Sequence, residues 1–274
     1  MANLRVDKIT STETFETTGS VQISAVSGNE NFLDVNGTNS DLALGTGDFT
    51  IESYFYIPAY DSYSGHHLNV LIDFRPTSTN DVSPTIYIQG SSDQSPGQIR
   101  YLTSGSDRIT GDSGQVLLET WHHFALVRSN GVTKLYLNGV QTGADYVDSN
   151  DYICATNRPR IGGNGYLATI GTQIGYTSNF RILKGIALYT SNFKLPMREL
   201  EVTPETVLLA CQSKTDATLE KTGKTLSATG EVVASEITPG LLTPVPKAGA
   251  GSAITGSVEF TGDPNHLTVG SASD

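Results

Sequence analysis

Two Asn-Gly pairs, Asn130-Gly131 and Asn138-Gly139, constrain this chain more than anything else in it. Asn-Gly supplies the positive φ that a two-residue hairpin turn demands. The first pair follows Trp121-His122-His123-Phe124-Ala125-Leu126-Val127-Arg128; the second closes Thr133-Lys134-Leu135-Tyr136-Leu137-Asn138. Residues 121–142 are therefore expected to form a β-meander, with neighbouring strands antiparallel. Further runs of Val, Ile, Tyr, Phe and Thr lie at Phe49–Ile57, Val70–Phe74, Thr85–Gln89 and Ile99–Leu102. Polar turns separate them, and no segment has a clean helical period. The text predicts an all-β chain, an antiparallel β-sandwich of jelly-roll type, and not βαβ units.

Composition narrows the function classes. Hydrophobic residues make up 37% of the 274 residues but form no block of the ~20 needed to cross a bilayer. With 17 Lys and Arg against 28 Asp and Glu, the net charge is −11. A nucleic-acid backbone would be repelled on average, and no Lys/Arg cluster offsets this. The start, Met1-Ala2-Asn3-Leu4-Arg5-Val6-Asp7, has no basic stretch leading into an apolar one, so no secretory signal is expected. Cys154 and Cys211 match no zinc or Cys-x-x-Cys spacing and are expected as buried thiols, not a bridge.

Four segments are expected. Residues 1–18 read as an extended arm: Leu4, Val6, Ile9 and Phe15 are its only large apolar residues, too few for a core but enough to anchor on a partner surface. Residues 19–213 hold the sandwich. Residues 214–255 are rich in Thr, Gly and Pro and read as a linker with one weak hairpin around Lys224–Val233. In residues 256–274, Gly256-Ser257-Val258-Glu259-Phe260-Thr261 echoes Gly19-Ser20-Val21-Gln22-Ile23-Ser24, and His266–Gly270 echoes Phe32–Asn36. This reads as the start of a second similar repeat, implying a longer natural polypeptide.

An ordered set of pieces carries a resemblance over residues 20–213. Gly47–Glu52, Trp121–Arg128, Lys134–Gly139, Arg160-Ile161-Gly162-Gly163 and Gly175–Ile182 follow one another in an order similar to the laminin-G-like, concanavalin A-like jelly rolls. More finely, Asn3–Glu13 and Ser178–Tyr189 resemble segments of virion structural proteins of tailed bacteriophages, notably cyanophages. The resemblance implies a non-enzymatic virion protein (capsid decoration, fibre or tail appendage). It would be made in the host cytoplasm and displayed on the particle surface, bound to other virion proteins through its arm. It also implies a homo-oligomer, a trimer among the options, and adhesion to host-surface glycans. The alternatives are a free carbohydrate-binding lectin-like module and, less favoured, a polysaccharide hydrolase of the same fold.

Candidate side chains follow. Trp121 is expected in the core, and His122 and His123, which point oppositely on one strand, in packing roles. Glucanases on this fold carry alternating acids on one strand. Glu199-Leu200-Glu201 and the pair Asp48 and Glu52 are the nearest candidates, and neither completes the pattern, so no catalytic residue is expected. Asp145, Asp148, Asn150 and Asp151 put hard oxygens close together, as Ca²⁺ requires, and laminin-G-like domains often hold a rim calcium. A solvated turn is the plainer reading, so no cofactor beyond that calcium is expected. Tyr60, Tyr63, His66 and His67 in one loop, joined by Tyr166 and Tyr176 in glycine-rich loops, are the candidates for stacking on sugars. The plainer alternative is a Tyr-rich loop folded onto the sandwich or a neighbouring subunit.

Overall fold

The computed structural model describes residues 18–24, 31–60, 68–90, 95–167 and 171–241. All of them fall in the unit Met1–Thr243. In chain order the strands are β1 (Ser20–Ile23), β2 (Phe32–Val35), β3 (Phe49–Tyr56), β4 (Leu68–Asp73) and β5 (Thr85–Gln89). Then come β6 (Ile99–Thr103), β7 (Ser106–Thr110), β8 (Trp121–Ser129), β9 (Val132–Leu137) and β10 (Val140–Val147). The last are β11 (Arg160–Ile161), β12 (Gly175–Lys184), β13 (Thr206–Ala210), β14 (Leu226–Thr229) and β15 (Val232–Ser235). Sheet I has the order β10-β9-β8-β3-β12-β1-β15, with β13 also paired to β12; sheet II runs β14-β2-β11-β4-β5-β6-β7. All pairings are antiparallel, and the fold is the expected β-sandwich.

The meander sits where the Asn-Gly pairs place it. Asn130 and Gly131 take φ of 49° and 74°, and Asn138 and Gly139 take 52° and 78°. Ser129 pairs with Val132, and Leu137 with Val140. Gly139 is needed twice over: an added Cβ would also lie 2.2 Å from the Phe193 carbonyl oxygen.

Alternation sends Phe49, Ile51, Phe55, Phe124, Leu126, Phe180 and Ile182 inward from sheet I, against Ile72, Ile86, Ile88, Ile99 and Tyr101 from sheet II. Each such side chain, fully buried, contributes about 1.5–3 kcal/mol. The outer face of sheet I is covered in part by a strap of irregular chain, residues 185–200. Tyr189 and Phe193 stack at 3.5 Å and pack over Ala125, Val127 and Tyr136. The outward residues of β3 hold the strap. The Thr50 hydroxyl donates to Ile186 O and accepts from Leu188 N–H, and the Tyr54 hydroxyl donates to Pro196 O.

Two expectations are corrected. Residues 226–241 do not belong to a linker. β14 pairs with β2 and β15 with β1, so the hairpin expected around Lys224–Val233 does not pair with itself: its halves extend different sheets. The open backbone edges of β1 and β2 supply the partners, and of the two strands only Leu226 and Val232 join the buried core. Trp121 is not in the core. It begins β8 on the outer face and is partly exposed, because Phe124 and Leu126 take the inward positions. His122 and His123 do have packing roles. His122 stacks on Phe55, accepts at Nδ1 from Asn138 and donates at Nε2 to Leu117 O; His123 is buried beneath the strap.

Leu4, Val6, Ile9 and Phe15 of the arm, residues 242–255 of the expected linker and the repeat at 256–274 lie outside the described residues. Among the described residues no helix is long and apolar enough to cross a membrane. Cys154 and Cys211 are free thiols, as expected.

Candidate functional site

The outer face of sheet II carries a polar ladder set by register. Leu102, Thr85, Asp73, Arg160, Asp34 and Ser227 stand opposite one another on β6, β5, β4, β11, β2 and β14. Asp73 is fully buried and takes Arg75 through Nε (2.9 Å) and Nη2 (2.6 Å), the Thr85 hydroxyl (2.9 Å) and Gly165 N–H (2.9 Å). Arg160 grips Asp34 with two bonds, of 2.9 and 3.0 Å, and lies over the Phe32 ring. Arg158 spans the same region through carbonyls, donating to Arg75 O and Gly165 O. These guanidinium groups fasten the loop 162–167 to the sheet. Asn164 Oδ1 then accepts the N–H groups of Tyr166 and Leu167, which shapes the loop tip.

Between that tip and the sheet lies a cavity of about 180 Å³. Leu68, Val70, Thr85, Tyr87 and Leu102 form its floor; Arg75, Asn164, Tyr166 and Leu167 form the wall. The Tyr166 ring faces the Arg75 guanidinium at 5.3 Å. The Tyr87 hydroxyl donates to Asp107 (2.8 Å), which also pairs with Arg100 (3.2 Å). Burial, and then the Asp107 charge, push the Tyr87 hydroxyl well above the ordinary tyrosine range, so it remains a donor. The site is thus an apolar and aromatic concavity rimmed by amide, hydroxyl and guanidinium groups, smaller than the roughly 300–1,000 Å³ typical of drug-sized ligands. Both carboxylates near it, Asp73 and Asp107, are taken by arginines and hydroxyls.

A family model described as the concanavalin A-like lectin/glucanases superfamily matches residues 16–184. The chain belongs to that superfamily. No curated protein sequence matches it. Among solved structures, a candidate carbohydrate-binding protein from Bacteroides ovatus aligns with a TM-score of 0.58 and 15% identity, over 80% of this chain and 60% of that one. This chain thus spans three fifths of that protein's length, and the likeness is one of fold. A heptameric SAP-like pentraxin from Limulus polyphemus aligns at 16% identity and a TM-score of 0.47, over 63% of this chain and 78% of that one.

On this lectin/glucanase framework the sugar-stacking candidates do not converge. Tyr166 lines the cavity. Tyr176 is on the outer face of sheet I, on the other side of the sandwich. Tyr60 is partly buried against the core and its hydroxyl donates to Val116 O (3.2 Å), a packing role. Tyr63, His66 and His67 lie outside the described residues.

The calcium candidates do not converge either. Asp148 is buried, and its carboxylate accepts the hydroxyls of Thr133 and Tyr152 (both 2.6 Å) and Asn150 N–H (3.0 Å). Asn150 Nδ2 turns to the hydroxyls of Tyr146 and Tyr152. Asp145 is held by Gln141 and Lys134, and Asp151 is exposed. Among the described residues no three His, Cys, Asp or Glu side chains gather as a metal group would need. Tyr152, unseen in the sequence reading, is what draws Asp148 inward.

Carboxylates of both acidic pairs are already engaged. Glu199 pairs with Lys221 (2.5 Å), and Asp48 accepts Asn130 N–H. Glu52 is sealed under the strap, bound to Arg181 Nε and Nη2 (2.9 and 2.5 Å), His123 Nε2 (3.2 Å) and the Tyr189 hydroxyl (2.9 Å). Burial alone would raise its carboxyl. The bonds and charges of His123 and Arg181 outweigh that and hold it below its ordinary value.

The residues missed by the sequence reading are Arg75, Tyr87 and Asn164. Alternation in Thr85-Ile86-Tyr87-Ile88-Gln89 marks Tyr87 as an aromatic opposite the core face. Gly162-Gly163-Asn164-Gly165 marks a loop whose backbone runs tight to its neighbours: a Cβ at Gly165 would sit 2.6 Å from Arg75 O.

Proposed function

We propose that this sandwich is a non-catalytic carbohydrate-binding module, and that the sheet II cavity receives a single sugar ring. One observation carries the reading: Tyr166 faces an apolar floor that includes Tyr87, while Arg75 and Asn164 supply planar hydrogen-bonding edges, the whole fastened by an ion pair and hydrogen bonds. A pyranose has the matching chemistry, with C–H faces for aromatic rings and hydroxyls for the rim. The engagement of Asp73 and Asp107 favours binding over hydrolysis, because a glycosidase needs one carboxyl free to give a proton and one free to attack or activate water. A glycan array followed by calorimetry tests this. Tyr166→Ala should weaken binding of any glycan retained by the wild type about tenfold or more with an unchanged melting temperature. Equal binding by wild type and variant, or product release from the glycan, would overturn it.

The placement of the module on a phage particle, in a homo-oligomer, is supported by the resemblance of Asn3–Glu13. The resemblance of Ser178–Tyr189 bears on fold, since Arg181 and Tyr189 build the Glu52 cluster and the strap. Deleting residues 1–17 should leave the melting temperature within a few degrees and abolish incorporation into particles. Normal incorporation would refute the anchoring role.

A further inference from the structure

Sheet I has its own outward row, on the side of the sandwich away from the cavity. Register sets Trp121 (β8) opposite Tyr56 (β3), Tyr56 opposite Tyr176 (β12), Tyr176 opposite Gln22 (β1), and Gln22 opposite Val233 (β15). Directly opposed residues share a face, and five strands at about 4.8 Å give a row about 19 Å long. The row further along the same face is not free: Tyr54 and His123 lie under the strap, and the Ser20 hydroxyl is spent on Ile237 O. The aromatic row is where that cover ends.

Its three rings form one cluster. The centroids of Tyr56 and Trp121 are 5.8 Å apart, those of Tyr56 and Tyr176 5.6 Å, and those of Trp121 and Tyr176 6.3 Å. Trp121 and Tyr176 belong to strands separated by β3, so their rings lean together over Tyr56. All three are partly exposed, as is Gln22, and Val233 is 52% exposed. The glycine beside Tyr176 lets β12 run this close to β3: Gly175 has φ +128°, and a Cβ there would meet Tyr56 O at 2.0 Å. The rings are too close together to admit a cation between them, and no member of the row is charged, in a chain of net charge −11. Among the described residues, none bonds to the Trp121 indole N–H, the Tyr56 and Tyr176 hydroxyls or the Gln22 amide.

We infer that this row is a second binding surface, for a neutral polysaccharide chain lying across the strands of sheet I. The chemistry selects the occupant. Packing another protein here would leave four hydrogen-bonding groups to be matched one by one. A hydroxyl-rich chain meets ring faces and polar tips together, and uncharged hydroxyls suit an uncharged row. The row exceeds the cavity in length, so it takes several successive rings where the cavity takes one. This surface goes beyond the cavity reading and stands apart from it, on a different sheet.

Trp121 is the only tryptophan in the chain, so tryptophan emission reads this surface and not the cavity. The probes are neutral oligosaccharides of two to six residues from β-1,4-glucan, β-1,3-glucan, α-1,4-glucan and xylan, titrated into the full chain. At least one series should shift the emission, and the hexamer should bind more tightly than the dimer. Tyr176→Ala, which keeps the reporter, should weaken the hexamer about tenfold, and Tyr166→Ala should leave that titration unchanged. A melting curve on Tyr176→Ala separates lost binding from lost fold. If Tyr176→Ala unfolds, Gln22→Ala takes its place, and a weaker hexamer titration is again required. The inference is overturned if no series moves the emission, if dimer and hexamer bind alike, or if the fully folded Tyr176→Ala variant binds as the wild type does. Loss of binding in Tyr166→Ala alone, with emission silent throughout, would uphold the cavity and sink the row.

Discussion

The two outer faces of the sandwich hold the same device, an arginine gripped by a carboxylate, under different cover. On sheet I the Glu52 side chain is 0% exposed and Arg181 8%, roofed by the strap. On sheet II the Asp34 side chain is 15% exposed and Arg160 10%, with only the 162–167 loop beside them. Under the strap the pair is used up: Tyr189 and His123 complete the shell of Glu52, and the result is a fixed loop. On the open face the same chemistry fastens the 162–167 loop and leaves Tyr166 and Asn164 within reach of a ligand. Cover therefore decides whether a polar cluster on a sheet face serves the fold or a site.

The largest effect that would break this comparison is expected at Glu52. Glu52→Gln strands the Arg181 cation and the Tyr189 hydroxyl in a sealed space, at a cost of roughly 3–5 kcal/mol, or a melting point lower by on the order of 10 °C. The sign with pH follows from the depressed Glu52 carboxyl. A folded value below the ordinary 4.5 means the stabilisation is complete above that range and is lost as pH falls through the lower folded value. The gap between wild type and variant should be widest near neutrality and close on acidification below 4.5. Thermal melts across that range check it. A gap that is small, or that widens in acid, would mean the strap is held by Tyr189 and Phe193 packing alone.

How much of this was legible in the sequence depends on the range of the interaction. The meander was, because Asn130-Gly131 and Asn138-Gly139 fix their turns with local φ values and the strands between them alternate. Of β14 and β15 only a weak hairpin was legible, not its pairing: Ser227, Ala228 and Thr229 carry little strand signal, and what orders them is the vacant edge of a strand some 190 residues earlier. Trp121 was misread because both faces of mid-β8 are buried, one by the core and one by the strap. Periodicity then gives no sign of which face is inner. The sites were illegible for the same reason. Asp73 and Gly165, Asp34 and Arg160, and Glu52 and Arg181 meet only through register, and single residues such as Arg75 advertise nothing. Tyr166 and Tyr176 were noticed as exposed aromatics, but residue type alone could not tell that they serve opposite faces.

The smaller effect is expected at Asp34, and it sharpens the comparison where Glu52→Gln breaks it. Asp34→Asn removes one of the two carboxylates beside Arg160, but that guanidinium keeps the Phe32 ring and the Asn164 carbonyl. The loss should be about 1 kcal/mol, a few degrees of melting temperature, and should shrink in high salt as an open pair is screened. The two thiols report where the loosening occurs. Burial lifts both to about 12, so neither reacts readily near neutrality while the protein is folded. Cys154 contacts Arg158 O on the sheet II side, whereas Cys211 follows β13 in the core and accepts at its backbone carbonyl from Asn179 N–H. Maleimide labelling of Asp34→Asn at neutral pH should therefore speed up at Cys154 by severalfold and stay unchanged at Cys211. Faster labelling at Cys211, or equal acceleration at both, would mean the open ladder supports the whole sandwich, and that exposure does not mark the weaker cluster.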